Sequence, residues 1–244
     1  PAETKEIRPH PHGVELGTLL KMLDATDSYS VSGFLQGEFT RVGAKTANAV
    51  VDNFKDRHFG REMTWRPPQA HEEADIVAEV TGATSNKGAA VTKQFANGIA
   101  DAIHAKDRVA HGEVVAIVDE QADAAEEESG KSFGATAREN AVAAAWYALT
   151  RERTADVYAI VDEVTTSRKD DAAVQGMARR IADKFDNQED NRNRATRDDL
   201  EEFVERAAEM TEQADDVRFG ETAQGNIVDA LWDVMVTVPD DAPK

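Results

Sequence analysis

Cysteine is absent from the 244 residues, which excludes disulfides and thiolate metal sites. No run of about 18 apolar residues occurs, so no membrane-spanning helix is expected. The N-terminus lacks the basic, apolar and small-residue succession of a leader, so no secretory precursor is expected. No stretch alternates apolar and polar residues long enough to predict a strand. Basic charge is also short: 28 Lys and Arg stand against 47 Asp and Glu, a formal net charge of −19.

The deficit is uneven. Residues 1–66 carry 9 basic and 9 acidic side chains, and residues 67–244 carry 19 and 38. The whole excess therefore lies beyond residue 66, where its field repels phosphate and argues against a nucleic-acid groove. Arginine outnumbers lysine 17 to 11 and alanine occurs 40 times. Acidic, lysine-poor, alanine-rich usage suits a cytoplasm of concentrated salt, where screening relieves the repulsion between carboxylates. A cytoplasmic protein is expected.

What is present is helical patterning, and the expected fold class is all-α. Leu16, Leu19, Leu20 and Leu23 recur at i, i+3, i+4 and i+7. Asp27 and Ser28 offer a cap for a second stripe of Val31, Phe34, Leu35 and Phe39. Gly43 breaks the pattern, and Ala47, Val50, Val51 and Phe54 form a third stripe. Three short helices are thus expected over residues 14–55. Pro67-Pro68 is the strongest punctuation, and a domain boundary is expected between about residues 57 and 72.

Beyond it the chain resembles itself. Thr84–Ile103 and Thr166–Phe185 share 8 of 20 residues at an offset of 82, and Phe133–Trp146 and Phe219–Trp232 share 8 of 14 at an offset of 86. The change of offset implies a four-residue insertion within the polar stretch 186–197. Each copy is expected to hold four helices, near 73–82, 88–105, 111–127 and 135–150, and near 155–164, 170–186, 197–213 and 221–236. The expected domains are residues 1–66, a first helical repeat over 67–152 and a second over 153–244. Ser85, Ser167, Thr136 and Thr222 are expected N-caps. Trp146 and Trp232, each four residues after a valine, read as core packing. A duplication that repeats caps and core positions, without a catalytic set, points to a scaffold.

Active-site motifs are missing. Gly43-Ala44-Lys45-Thr46 is close to the end of a phosphate loop, but it lacks the second glycine, the upstream glycine and the strand. The six histidines form no HExxH pair, and His10 and His12 flank a proline as a weak chelate at best. Asp123, Glu126, Glu127 and Glu128 lack the spacing of a calcium loop and read as a solvated helix face. Tyr29, Tyr147 and Tyr158 show no neighbouring carboxylate cluster that would mark a nucleophile beside a metal. One feature has a mechanism. Arg41 to Thr46 forms a tight turn into a helix, which presents free backbone N–H groups, a hydroxyl and two cations to an anion. Arg41, Lys45 and Thr46 are the candidate nucleic-acid-binding residues. The plainer alternative is an ordinary turn, with Gly43 ending one helix and Thr46 capping the next.

Arg8-Pro9-His10-Pro11-His12-Gly13-Val14-Glu15-Leu16-Gly17-Thr18-Leu19 and the later block SGFLQGEFTRVGAKTA, from Ser32 to Ala47, carry a family resemblance. In order and spacing they resemble the helix–two-turns–helix domain in the B subunit of archaeal DNA topoisomerase VI. The remainder, with its WRPP string and two repeats, is similar to the insertion that haloarchaeal versions carry after that domain. The resemblance implies an internal piece of the ATPase subunit of a type IIB topoisomerase, which passes one duplex through another with ATP and Mg. It implies DNA, the A subunit and a second B subunit as partners, with no cofactor held and no catalytic residue in this segment. The DNA-cleaving tyrosine of that family belongs to the A subunit. A stand-alone acidic helical-repeat adaptor is the alternative. A DNA-repair glycosylase sharing the helical motif is disfavoured, because its zinc cysteines are missing.

Overall fold

The computed structural model describes residues 8–68, 75–84, 87–166, 168–186 and 193–237. They form two compact units that divide between Gly60 and Arg61, with Thr237 belonging to the first.

The first unit holds a 3-10 turn over Pro11–Gly13 and three helices: α1 (Leu16–Ala25), α2 (Val31–Glu38) and α3 (Ala44–His58). The three expected stripes thus become three helices. Their caps differ from expectation. Ser30, rather than Asp27 or Ser28, caps α2, its hydroxyl accepting from the Gly33 N–H at 3.0 Å. The chain at Ser30 is extended, which places the hydroxyl over the first free amides. The core here is small. Phe34 and Phe39 meet edge to face with centroids 5.7 Å apart, and the fully buried Ala47 lets α3 approach α2. The leucine stripe of α1 is real but uncovered, with Leu16, Leu20 and Leu23 exposed.

The second unit is two helical quartets. The first comprises α4 (Ile76–Ala83), α5 (Ala89–His104), α6 (His111–Ser129) and α7 (Ala135–Thr150). The second comprises α8 (Arg153–Val164), α9 (Asp171–Asp186), α10 (Arg197–Asp215) and α11 (Glu221–Val234). Both follow the same packing circuit. In the first, α4 lies on α5 and α7, α5 on α6, and α6 on α7; in the second, α8, α9, α10 and α11 take those places. Apolar residues of both quartets join one continuous core that includes Phe95, Phe133, Trp146, Met177, Phe185 and Phe219.

Details recur at the offset of 86. Gly130 ends α6 with φ 69° and Asp216 ends α10 with φ 53°, each donating its N–H to the carbonyl four residues earlier. Glycine takes the left-handed conformation freely, and aspartate is among the few other residues that tolerate it. The carbonyl of Phe133 accepts from Arg138, and that of Phe219 from Gln224, again 86 residues on.

Some expected caps are displaced. Thr136 and Thr222 fall inside the first turns, and Gly134 and Gly220 are the capping residues, with no side-chain bond. Ser85, Ser167 and most of the expected insertion lie outside the described residues. In the second unit, Asp75 accepts from Val77 and Ala78 and Thr196 exchanges bonds with Asp199, as side-chain caps. Trp146 is buried, whereas Trp232 is half-buried beneath the Arg61 guanidinium, 4.2 Å from its ring centroid.

Contrary to the expectation of no strand, three short ones form a sheet in the order β2-β1-β3: β1 (Arg61–Met63), β2 (Arg194–Ala195) and β3 (Met235–Thr237). β1 pairs antiparallel with β2, Arg61 opposite Ala195 and Glu62 opposite Arg194. Two or three residues are too few to show alternation, so only their distant partners define them. Four residues on, Trp65 bridges to Val109, which is the position 86 before Ala195. The stretch 61–66 therefore touches equivalent loops of both quartets. Glu62, Met63, Thr64 and Trp65 are all buried, and the Trp65 indole N–H donates to Asn193 Oδ1 at 2.8 Å. Residues 61–66, grouped with the N-terminal domain from the charge pattern, pack into the second unit.

No helix among the described residues is long and apolar enough to cross a membrane.

Candidate nucleic-acid interface

The candidate turn lies wholly within the first unit. α2 ends at Glu38, and Phe39 turns inward as an extended cap residue. The Thr40 N–H donates to the Pro9 carbonyl at 3.0 Å, which ties the turn to the segment before α1. The reversal is made at Arg41, whose φ of 62° is left-handed. Under the plainer alternative Gly43 would end the preceding helix, but its φ is −87° and it is the N-cap of α3. Thr46, the cap under the plainer reading, instead lies in the first turn of α3.

The geometry leaves an open helix N-terminus. The first amide of α3 to find an intrahelical acceptor is Ala47, which donates to the Gly43 carbonyl at 3.0 Å. The N–H groups of Ala44, Lys45 and Thr46 precede it, and Gly43 has no side chain to cap them. No heavy atom lies within 4 Å of the point where a Cβ would stand on Gly43, so the approach is unobstructed. Arg41, Lys45 and Thr46 are all exposed around it. Together they offer two cations, a hydroxyl and the positive end of a 15-residue helix. Such a constellation suits a phosphate oxygen and reads no base. Ser32 Oγ donates to Asn48 Oδ1 at 2.7 Å and fixes α2 against the first turns of α3. Sequence pattern gave no sign of this contact, because the two polar residues lie sixteen positions apart.

The other sequence candidates separate from this turn. His10 and His12 stack with ring centroids 5.3 Å apart, and His10 Nδ1 accepts from the His12 N–H. Among the described residues no group of three or more His, Asp or Glu side chains is arranged to hold a metal ion. Asp123 pairs with Arg138 at 2.6 Å, and Asp119 does so at 3.1 Å. Those two carboxylates raise the Arg138 pKa further above its ordinary value, chiefly through the hydrogen bond to Asp123. Tyr158, read as lacking a carboxylate cluster, does have one carboxylate partner: its hydroxyl donates to Asp171. That bond, with a smaller contribution from desolvation, pushes the phenol up to about 12.

Comparison with known proteins places these features in a lineage. The chain is 60% identical over 243 residues to the B subunit of type 2 DNA topoisomerase 6 from Natronomonas pharaonis, and 56% identical over 244 residues to that of Halobacterium salinarum. Each match takes in the whole chain and 30% of the relative, so the chain spans under a third of the length of these proteins. The protein of the same name from Archaeoglobus fulgidus is 51% identical over 51 residues, which is 21% of the chain. No family model matches, and no solved structure matches.

Proposed function

We propose that this chain, homologous over its whole length to part of the haloarchaeal topoisomerase 6 B subunit, serves as a non-catalytic portion of that subunit in a cytoplasmic, ATP-dependent DNA topoisomerase. The observation that carries the reading is the 60% identity that runs through 243 residues. It takes in the two repeats as well as the PHPHGVELGTL block. Chance similarity between acidic helical proteins does not maintain such identity over a whole chain of this length.

Within that role residues 1–66 form the helix–two-turns–helix domain, and the two quartets are tandem repeats of a salt-adapted scaffold. The 51-residue match to the Archaeoglobus protein is about the length of the first of these, which supports a common core with a lineage-specific addition. The parent enzyme binds ATP and Mg elsewhere and works with the A subunit, a second B subunit and DNA. Neither ATP hydrolysis nor strand cleavage is assigned to this segment, because its sequence carries no ATPase box.

Arg41, Lys45 and Thr46 hold the DNA backbone by phosphate contacts alone. The expected affinity is weak and independent of sequence. With about two or three phosphates engaged, log K falls with log salt at a slope of roughly −2 to −3. The check is fluorescence anisotropy of the 244-residue chain on duplex DNA, at salt concentrations where circular dichroism shows it folded. Arg41→Ala and Lys45→Ala should each reduce the slope by about 1 and weaken binding to all sequences alike. Unchanged slopes in both variants would return the turn to a structural role.

A further inference from the structure

The first unit is unfinished as a globule. Its described residues bury only Phe34, Phe39 and Ala47 among the hydrophobics, while Leu16, Leu20, Leu23, Tyr29, Val31, Val50 and Phe54 are exposed. Leu16 is 71% exposed and Phe54 52%. Among the described residues of the much larger second unit, the exposed large hydrophobics are Val115, Tyr147, Met210 and Val236, scattered over α6, α7, α10 and β3. Solitary exposed apolar residues are ordinary, but a contiguous set on one small unit marks a contact face.

Of the exposed residues in the first unit, Leu23, Tyr29, Val31, Val50 and Phe54 line a groove of about 600 Å³. Leu19 and Leu23 of α1 form one wall, Val50, Val51 and Phe54 of α3 the other, and Val31, Phe34 and Leu35 of α2 the floor. Leu19 and Leu23 stand at i and i+4 on α1, and Val50 and Phe54 at i and i+4 on α3. Two helical ridges with a trough between them match the apolar stripe of a third helix. Lys55 is the one charged side chain among the groove residues.

We infer that this groove is the seat of an amphipathic helix from the part of the same subunit that lies outside this chain, with a carboxylate of that helix meeting Lys55. The inference rests on the proposed membership in the topoisomerase, and three observations favour that occupant. The matching relatives extend over more than three times the length of this chain, so the greater part of such a protein is there to cover the face. The uncovered apolar surface is concentrated in one unit, as at a single internal interface cut open. The groove's one cation calls for an acidic partner, and a second copy would present the same lysine to itself.

The test is amide hydrogen exchange on the 244-residue chain and on the complete subunit in the same molar KCl buffer. Exchange in Leu16–Ala25 and Ala44–His58 should be about tenfold or more slower in the complete subunit, while α9 exchanges alike in both. In the complete subunit Leu23→Glu and Val50→Glu, both exposed groove residues, should abolish that extra protection. In the isolated chain the same substitutions should leave the melting temperature unchanged, because both side chains already meet water. Equal exchange of α1 and α3 in the two proteins would overturn the inference. So would protection that rises with the concentration of the isolated chain, which would make a second copy the occupant. Loss of ATP-dependent DNA relaxation by the complete subunit with its partner is a separate assay. Its failure would sink the topoisomerase reading and leave the exchange result standing.

Discussion

Arg108 closes on Asp156 with two hydrogen bonds of 3.0 and 2.6 Å, and so locks the loop before α6 to the first turn of α8. The same guanidinium donates to the hydroxyl and the carbonyl of Thr64. Arg194, the residue 86 positions later, makes the corresponding pair with Glu62 at 3.2 Å. Glu62 in turn accepts from the Gly112 N–H at the start of α6. Two arginines at positions 86 apart thus grip Thr64 and Glu62 in the stretch 61–66. Asp156 and Glu62 keep only 7% and 2% of their side-chain surface exposed, so both are paired at the cost of their hydration.

Removal of one partner weakens the hold on the other. Arg108→Ala should lower stability by about 3 kcal/mol, because it takes from the buried Asp156 its two short hydrogen bonds and leaves only the largely exposed Arg66 at 3.5 Å. The joint variant Arg108→Met with Asp156→Leu should recover much of that loss. Chemical denaturation in molar KCl measures both. A loss below about 1 kcal/mol in the single variant would show that the pair contributes only as a surface ion pair does.

The strand itself should be indispensable to the second unit. Trp65 is 1% exposed, stands edge to face with Phe185 at 5.9 Å, and holds Asn193 by its indole N–H. Trp65→Ala should cost about 3–5 kcal/mol through the cavity alone. A chain that begins at Pro67 should lose its cooperative thermal transition, whereas one that begins at Gly60 should keep it. Calorimetry of the two truncations decides whether residues 61–66 are a linker or part of the core.

The phenol of Tyr158 gives a pH dependence of known sign. Its folded pKa is raised to about 12 by donation to Asp171, above the ordinary value near 10. The folded state therefore holds this proton more tightly than the unfolded chain does. The stabilisation is complete below about pH 10 and is lost as pH rises toward about 12. The ultraviolet difference spectrum between the parent and Tyr158→Phe should show a phenol titrating near pH 12. A midpoint near 10 would mean that the bond to Asp171 does not persist in solution.

Salt should stabilise the chain. A net charge of −19 repels itself, and the Debye length shrinks from roughly 10 Å at 0.1 M to about 3 Å at 1 M and less above that. Melting temperature or helix content should rise from about 0.1 M to about 3 M KCl. A flat response would remove the link between composition and a saline cytoplasm.

Much of this architecture is legible in the residues. Every helix predicted from apolar spacing is present, with ends within a few positions, because a 3.6-residue period is a local property of the chain. The eight helices expected beyond residue 66 form two quartets with one packing circuit. Caps were less legible. Gly134 and Gly220 displace the expected threonines by two residues, as helix ends depend on backbone geometry that several neighbouring residues can supply. At the candidate turn the left-handed position falls on Arg41, while Gly43 is extended and caps α3. Glycine permits that conformation without requiring it.

Period and composition were enough to establish a helical and strongly acidic chain whose N-terminal part has no net charge. They are properties of near neighbours and of sums, which need no knowledge of distant contacts. Tertiary structure alone determined that Arg61 to Arg66 belongs with the quartets, because strands this short exist only through partners more than 40 residues away. It also determined which apolar stripes are covered. Leu20 and Ile99 sit on equally regular helical stripes, yet one is 55% exposed and the other fully buried. The period of a helix says that it has an apolar face, and only the packing of the whole chain says whether anything lies against it.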